Sequence, residues 1–208
     1  MGSTTEQPRG DLIFVLGPPG SGKGTTCKLA IEKSGHMPGH QYRHLSLGDH
    51  LRELCKPQEH ENPDIDYERI RRHLRVNQLL PSTVLNPVLQ AALLLTDDDA
   101  VADTATTWLI DGFPRDMEQA LAFEEKLGKP VKVIILECTR DVAQHRFLNR
   151  GRERADDLER FNRRYDEYVE NMKEIRPHYA NITQSISADG SREDCLAQFL
   201  NTISERDE

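Results

Sequence analysis

No apolar segment of this 208-residue chain approaches the roughly 20 residues that a membrane-spanning helix needs. The opening stretch, Met1 to Gly10, is polar and lacks the apolar centre of a secretory leader, so a flexible tail is expected there. Its first five residues approach an N-acylation signal, but Glu6 stands where that signal needs Ser or Thr. Cationic excess is missing too. Lys and Arg number 27 against 35 Asp and Glu, and the net charge of −8 argues against a nucleic-acid binder, which needs cations in surplus. The four cysteines, Cys27, Cys55, Cys138 and Cys195, lie far apart with no Cys-x-x-Cys pair, so neither a zinc site nor a dense disulfide framework is expected. Internal repeats are absent, and the acidic runs Asp97 to Asp99 and Glu205 to Glu208 read as solvated surface. What remains is a globular protein with reduced thiols, expected in the cytoplasm and also the nucleus, with no membrane or nucleic-acid partner.

What is present begins with Gly17-Pro18-Pro19-Gly20-Ser21-Gly22-Lys23-Gly24-Thr25. The apolar run Leu12 to Leu16 leads into it and a helix-forming stretch, Lys23 to Lys33, leaves it, which reads as strand, phosphate loop, helix. The glycines let backbone N–H groups turn inward, Lys23 adds a mobile positive charge, and the helix aims its positive dipole end at the same point. An ordinary Gly/Pro turn would not account for Lys23 and Thr25 at the helix start. The expected ligand is a nucleoside triphosphate.

Short apolar strands, Leu12 to Leu16, Arg43 to Ser46, Thr107 to Ile110, Val131 to Leu136 and Ile182 to Ile186, alternate with helical stretches. That alternation predicts an α/β fold, a five-stranded parallel sheet with helices on both faces, formed by residues 1–208 as one domain. Ligands of such sheets gather at the carboxyl ends of the strands. Ser46-Leu47-Gly48-Asp49 and Asp111-Gly112-Phe113-Pro114-Arg115 follow the second and third strands, so both are expected to face the phosphate loop. Two segments look inserted. One spans about 47–95 and holds a basic helix from Tyr67 to Val76, the turn Leu79-Leu80-Pro81 and an apolar helix from Ser82 to Leu95. The other, about 150–158, is short and rich in Arg and Asp. Arg52, Arg115, Arg146, Arg150, Arg154 and Arg164 stand at strand ends and segment borders, where planar guanidinium forks suit phosphate. Arg146 and Arg150, four apart, are expected on one helical face pointing into one cleft.

The spelling Gly22-Lys23-Gly24-Thr25, with Asp111 to Arg115 and these arginines in order from Gly17 to Arg164, resembles the nucleoside monophosphate kinases, a branch of the P-loop NTPases. The family moves the γ-phosphoryl of ATP onto AMP, UMP or CMP. The resemblance implies that residues 47–95 are the monophosphate-binding flap and 150–158 a short lid. It implies that Gly17, Pro19, Gly20, Ser21, Gly22, Lys23, Gly24 and Thr25 cradle ATP with Arg146 on the base and Arg150 at the phosphates. Arg52 and Arg115 are then clamps on the acceptor's phosphate, with Ser46, Leu47, Leu80, Gly112 and Gln119 around the acceptor. Arg150, Arg154 and Arg164 close on the transferring group together with Lys23, and Arg152 is the alternative to Arg154 because the lid is a few residues shorter than usual. Mg²⁺ would be held near Thr25 and, through water, by Asp111. A monomer is expected, since flap and lid must swing freely.

Two departures bear on the acceptor. Leu47 stands where the family commonly has Thr or Ala, and Asn77 where it has Gly. A Thr hydroxyl can hydrogen-bond adenine and Leu47 cannot, while the phrase Asp111 to Ala120 looks closest to the fungal-type uridylate kinases. These features lean toward a UMP or CMP acceptor, with AMP the alternative. A P-loop kinase of another small metabolite would share loop and sheet but not Asp-Gly-Phe-Pro-Arg with Gln119. A switch GTPase would need an Asn-Lys-x-Asp string, which does not occur. A pseudoenzyme that only binds nucleotide is disfavoured by the presence of Lys23, Asp111 and every clamp arginine.

Overall fold

The computed structural model describes residues 10–34, 40–56, 62–94, 105–150 and 157–205. Strands β1 (Asp11–Leu16), β2 (His40–Ser46), β3 (Ala105–Asp111), β4 (Lys132–Glu137) and β5 (Thr183–Ser187) form one all-parallel sheet in the order β2-β3-β1-β4-β5. The chain is thus an α/β protein with the phosphate loop leaving its central strand. Val15 pairs with Asp111 and Ser46 also pairs with Asp111, so the carboxyl ends of β1, β2 and β3 lie level. β2 starts three residues earlier than the apolar pattern suggests, because its first half is half-buried edge strand carried by its ladder to β3 rather than by apolar side chains.

Period-two alternation along β1 splits the core into two layers. Leu12, Phe14 and Leu16 face one side, where fully buried Phe14 meets the rings of Phe113, Phe123 and Tyr179 edge-on at 5.3, 5.4 and 5.9 Å. That layer is closed by α2 (Leu47–Leu54), α3 (Tyr67–Arg75), α4 (Ser82–Leu94), α5 (Met117–Leu127) and the end of α7 (Leu158–His178). Ile13 and Val15 face the other side, covered by Cys27 and Ala30 of α1 (Lys23–Ser34) and Leu196, Phe199 and Ile203 of α8 (Arg192–Ser204). A small third cluster, Ala143, Phe147 and Phe161, fastens α6 (Arg140–Leu148) to α7. Burying each of these large apolar side chains stabilises the fold by about 1.5–3 kcal/mol.

Helix starts are set by short side chains. Asp66, Asp116, Asp157 and Ser191 accept hydrogen bonds from the N–H groups of Arg69, Gln119, Arg160 and Asp194 at 2.8 to 3.0 Å. Asp157, within the segment expected to be the lid, therefore caps α7; its neighbour Asp156 lies outside the described residues. Asn77 turns the chain after α3 with φ of 53°, the left-handed conformation that Asn tolerates better than most residues, so it can stand where Gly is usual.

Candidate active site

The loop after β1 folds its glycine backbone against α6. A Cβ on Gly20, whose φ is +89°, would lie 2.0 Å from the carbonyl oxygen of Ala143, so only glycine permits this approach. Inside the loop, the Lys23 Nζ donates to the carbonyls of Gly17 at 2.7 Å and Pro18 at 3.0 Å and to the Ser21 hydroxyl at 3.3 Å. Burial pushes the Lys23 pKa down to about 8; Arg164 and Arg115 push the same way and Asp111 resists. An ammonium so placed lacks a full counter-charge, which an anionic ligand supplies.

A cavity of about 600 Å³ opens from this loop in both directions along the sheet's carboxyl edge. On the β2–β3 side, Arg52 reaches back to Asp49, and the Arg115 Nε donates to the Gly112 carbonyl at 3.3 Å. Both guanidinium groups converge on Gly48: a Cβ there would sit 3.5 and 3.6 Å from the Arg52 nitrogens and 3.8 Å from one of Arg115. Burial lowers the Arg115 pKa, with Arg52 adding to the effect and Glu167 and Asp111 opposing it. Two convergent guanidinium forks make a site for a phosphate dianion.

On the β4–β5 side, Arg146 is held flat. Its Nη1 donates to the Ala188 carbonyl at 2.5 Å and its Nη2 to the Gly190 carbonyl at 3.3 Å. The Arg150 guanidinium lies 4.0 Å, and that of Arg164 5.9 Å, from the centre of the Phe147 ring. Arg150 lies past the end of α6, whose last residue is Leu148, so it reaches the cavity from a bend and not by sharing a helical face with Arg146. The far wall is one face of α7, where Arg164, Glu167, Tyr168, Asn171, Met172 and Ile175 recur at helical spacing.

The structure brings Gly17, Pro19, Gly20, Ser21, Gly22, Lys23, Gly24, Thr25, Ser46, Arg52, Asp111, Gly112, Arg115, Arg146, Arg150 and Arg164 to this one cavity. Arg154, with Arg152, lies outside the described residues. Three others are placed elsewhere. Leu47 and Leu80 are buried in the core, because the phase of α2 puts Leu47, Leu51 and Leu54 together against the sheet. Gln119 is also buried, its amide filled by backbone: Oε1 accepts from the Arg115 N–H at 3.1 Å and Nε2 donates to the Leu80 carbonyl at 2.9 Å. Sequence reasoning misses two residues. His44, two residues before the end of β2, sets its Nε2 3.5 Å from the Asp111 carboxylate, and Glu167 lines the cavity. Spacing from Arg164 along α7 is a signal that could have found Glu167.

Among the described residues the cavity offers a divalent cation one buried carboxylate, Asp111, and the Thr25 hydroxyl, and no group of three His, Cys, Asp or Glu could form a cage. That sparse donor set fits Mg²⁺, which keeps most of its waters and shares phosphate oxygens. Among the described residues seven cationic side chains against two carboxylates line the cavity, which fits two polyanionic substrates.

A family model described as adenylate kinase matches residues 15–184. The chain is 31% identical over 197 residues to adenylate kinase isoenzyme 1 of Sus scrofa, covering 92% of this chain and 93% of that protein. It is 31% identical over 188 residues to a UMP-CMP kinase of Lentinula edodes, covering 86% and 78%. It is 31% identical over 197 residues to adenylate kinase isoenzyme 5 of Homo sapiens, of which it spans 32% of the length and 92% of its own.

Proposed function

Because the chain belongs to the adenylate kinase family, we propose that it transfers the γ-phosphoryl group of ATP to a nucleoside monophosphate. The observation that carries this reading is the presence of two anion-holding centres in one cavity: the loop with Lys23, and the Arg52–Arg115 pair converging on Gly48. ATP held by the first presents its γ-phosphorus toward the second. A phosphate oxygen of the acceptor attacks that phosphorus as its bond to the β–γ bridging oxygen breaks, leaving ADP and a nucleoside diphosphate. Lys23, Arg150 and Arg164 neutralise charge on the migrating group, and the cavity wall aligns the two substrates; alignment and electrostatics supply most of the rate. Mg²⁺, when bound beside Thr25 and Asp111, would shield the phosphate oxygens.

For the acceptor, UMP or CMP is the proposed preference, on the motif from Asp111 to Ala120 and the likeness to a UMP-CMP kinase. Leu47 lends this preference nothing, since it packs into the core. AMP is the second reading, favoured by the equal likeness to adenylate kinase isoenzyme 1. A monomer acting in a reducing compartment, the cytoplasm or nucleus, is the proposed setting; all four cysteines are free thiols. The test is coupled ADP release from ATP with AMP, CMP, UMP, dCMP and GMP. Turnover of UMP and CMP above AMP supports the preference, AMP above both reverses it, and no turnover of any overturns the proposed reaction.

A further inference from the structure

Arg52 and Arg115 meet beside Gly48, but only one carries its own counter-ion. Arg52 donates to Asp49, three residues back in α2. Arg115 has no carboxylate within ion-pair distance among the described residues; its Nε rests on the Gly112 carbonyl. Among the described residues the cavity has two acidic side chains, Asp111 at the end of β3 and Glu167 on the α7 wall. Glu167 follows Arg164 by three residues on the cavity face of α7, and makes no hydrogen bond or ion pair of its own among the described residues.

A carboxylate on the wall of an anion site repels the ligand the site exists to bind. Its placement needs another reason. We propose that Glu167 is a positioning residue, a carboxylate on the wall of the cavity that holds Arg115, beyond ion-pair reach of that guanidinium, which favours its charge from a distance and opposes the acceptor's phosphate when it arrives. This rests on the reading of Arg52 and Arg115 as the acceptor clamp. The electrostatics agree: burial works against the charge on Arg115, and Glu167 is the largest influence sustaining it, ahead of Asp111. Arriving phosphate takes over that service with a higher charge, and the displaced interest of Glu167 becomes repulsion. The residue therefore keeps acceptor and product binding weak enough for release.

Glu167→Gln, neutral and of the same shape, tests this. Steady-state kinetics should show the acceptor KM and the inhibition constant of inorganic phosphate both falling about threefold to tenfold, the reach of one charge several ångströms away in a partly wet site. The ATP KM should change less than about twofold, the melting temperature of the free protein should drop slightly, and its rise on adding acceptor should grow. Glu167→Asp, which keeps the charge, should return the acceptor KM toward the parent value. A packing role would lower stability and weaken binding together, so opposite signs separate the two. An unchanged or raised acceptor KM in Glu167→Gln overturns the proposal. Arg115→Lys is the companion variant. If it raises the acceptor KM while Glu167→Gln fails to lower it, this proposal falls alone; if it leaves the acceptor KM unmoved, the clamp reading falls and this proposal with it.

Discussion

Gly48→Ala should make the protein more stable and a worse enzyme. Gly48 is the second residue of an eight-residue helix, has an ordinary backbone conformation, and meets no backbone atom that a methyl group would strike. Alanine is favoured over glycine in a helix by up to about 1 kcal/mol, somewhat less this near the start. For a chain of this length that is a rise of about 2–4 °C in melting temperature. The same methyl would stand 3.5 to 3.8 Å from three guanidinium nitrogens of Arg52 and Arg115. A phosphate oxygen must come to about 2.8 Å of such nitrogens, and the methyl fills that approach. Losing one charge-assisted hydrogen bond costs about 1.5–3 kcal/mol, so the acceptor KM should rise about tenfold to a hundredfold while the ATP KM stays within about twofold. Differential scanning calorimetry and two-substrate kinetics read both halves. An Ala variant with unaltered acceptor KM would refute the placing of the acceptor's phosphate between the two arginines.

Lys23→Met should lower turnover by about two or more orders of magnitude with the fold intact, because the ammonium serves phosphate charge and its own hydrogen bonds, to Gly17, Pro18 and Ser21, stay within the loop; circular dichroism beside the assay checks both. In the parent, the Lys23 pKa near 8 lies below its ordinary value, so the free enzyme loses this cation as pH rises through about 8. kcat/KM for ATP should fall from pH 7 to 9 while kcat, reporting the complex in which phosphate holds the proton on, changes less. For stability the sign is opposite: between about 8 and 10.5 the unfolded chain binds more protons at this residue, so its contribution rises with pH. Gln119→Ala strands a buried N–H and a buried carbonyl and should cost about 2–5 kcal/mol in urea unfolding along with acceptor affinity. Unchanged stability would mean the amide is not committed to the backbone as described.

Central strands, loop and arginines are legible because each rests on a local signal. Leu12 to Leu16 and Val133 to Leu136 are continuous apolar runs, as strands buried on both faces must be. The edge strands are harder: His40 to Arg43 and Thr183 to Ser185 are polar or half-buried, and their extension is fixed by pairing with β3 and β4. The arginines follow from strand-end position, where side chains share a cleft whatever their exact neighbours. Leu47 shows the limit. A motif position implies a pocket, yet Leu47, Leu51 and Leu54 fall at i, i+4 and i+7, an apolar stripe visible in the sequence that binds the residue to the core. Gln119 bonds to a carbonyl 39 residues away, and Arg115 and Arg52 converge on Gly48 although α3, α4 and β3 lie between them in the chain; no spacing rule reaches such distances.

The contact of Gly20 with Ala143 sets the mechanics of the site. Where an α-carbon lies against a carbonyl with no room for a methyl group, loop and helix form one rigid jaw. The seat for the triphosphate and the plate of Arg146 on α6 are therefore separated by a distance the protein cannot adjust, a gauge with one setting. The other jaw is joined differently. There the Gln119 amide joins the Arg115 N–H to the Leu80 carbonyl, while the Ser82 hydroxyl donates to Glu118 and the Asn86 amide to the Ala122 carbonyl, so α5 and α4 are tied through side chains and not backbone against backbone. One wall of the site is thus set by backbone lying on backbone, and the other by side chains that reach between helices.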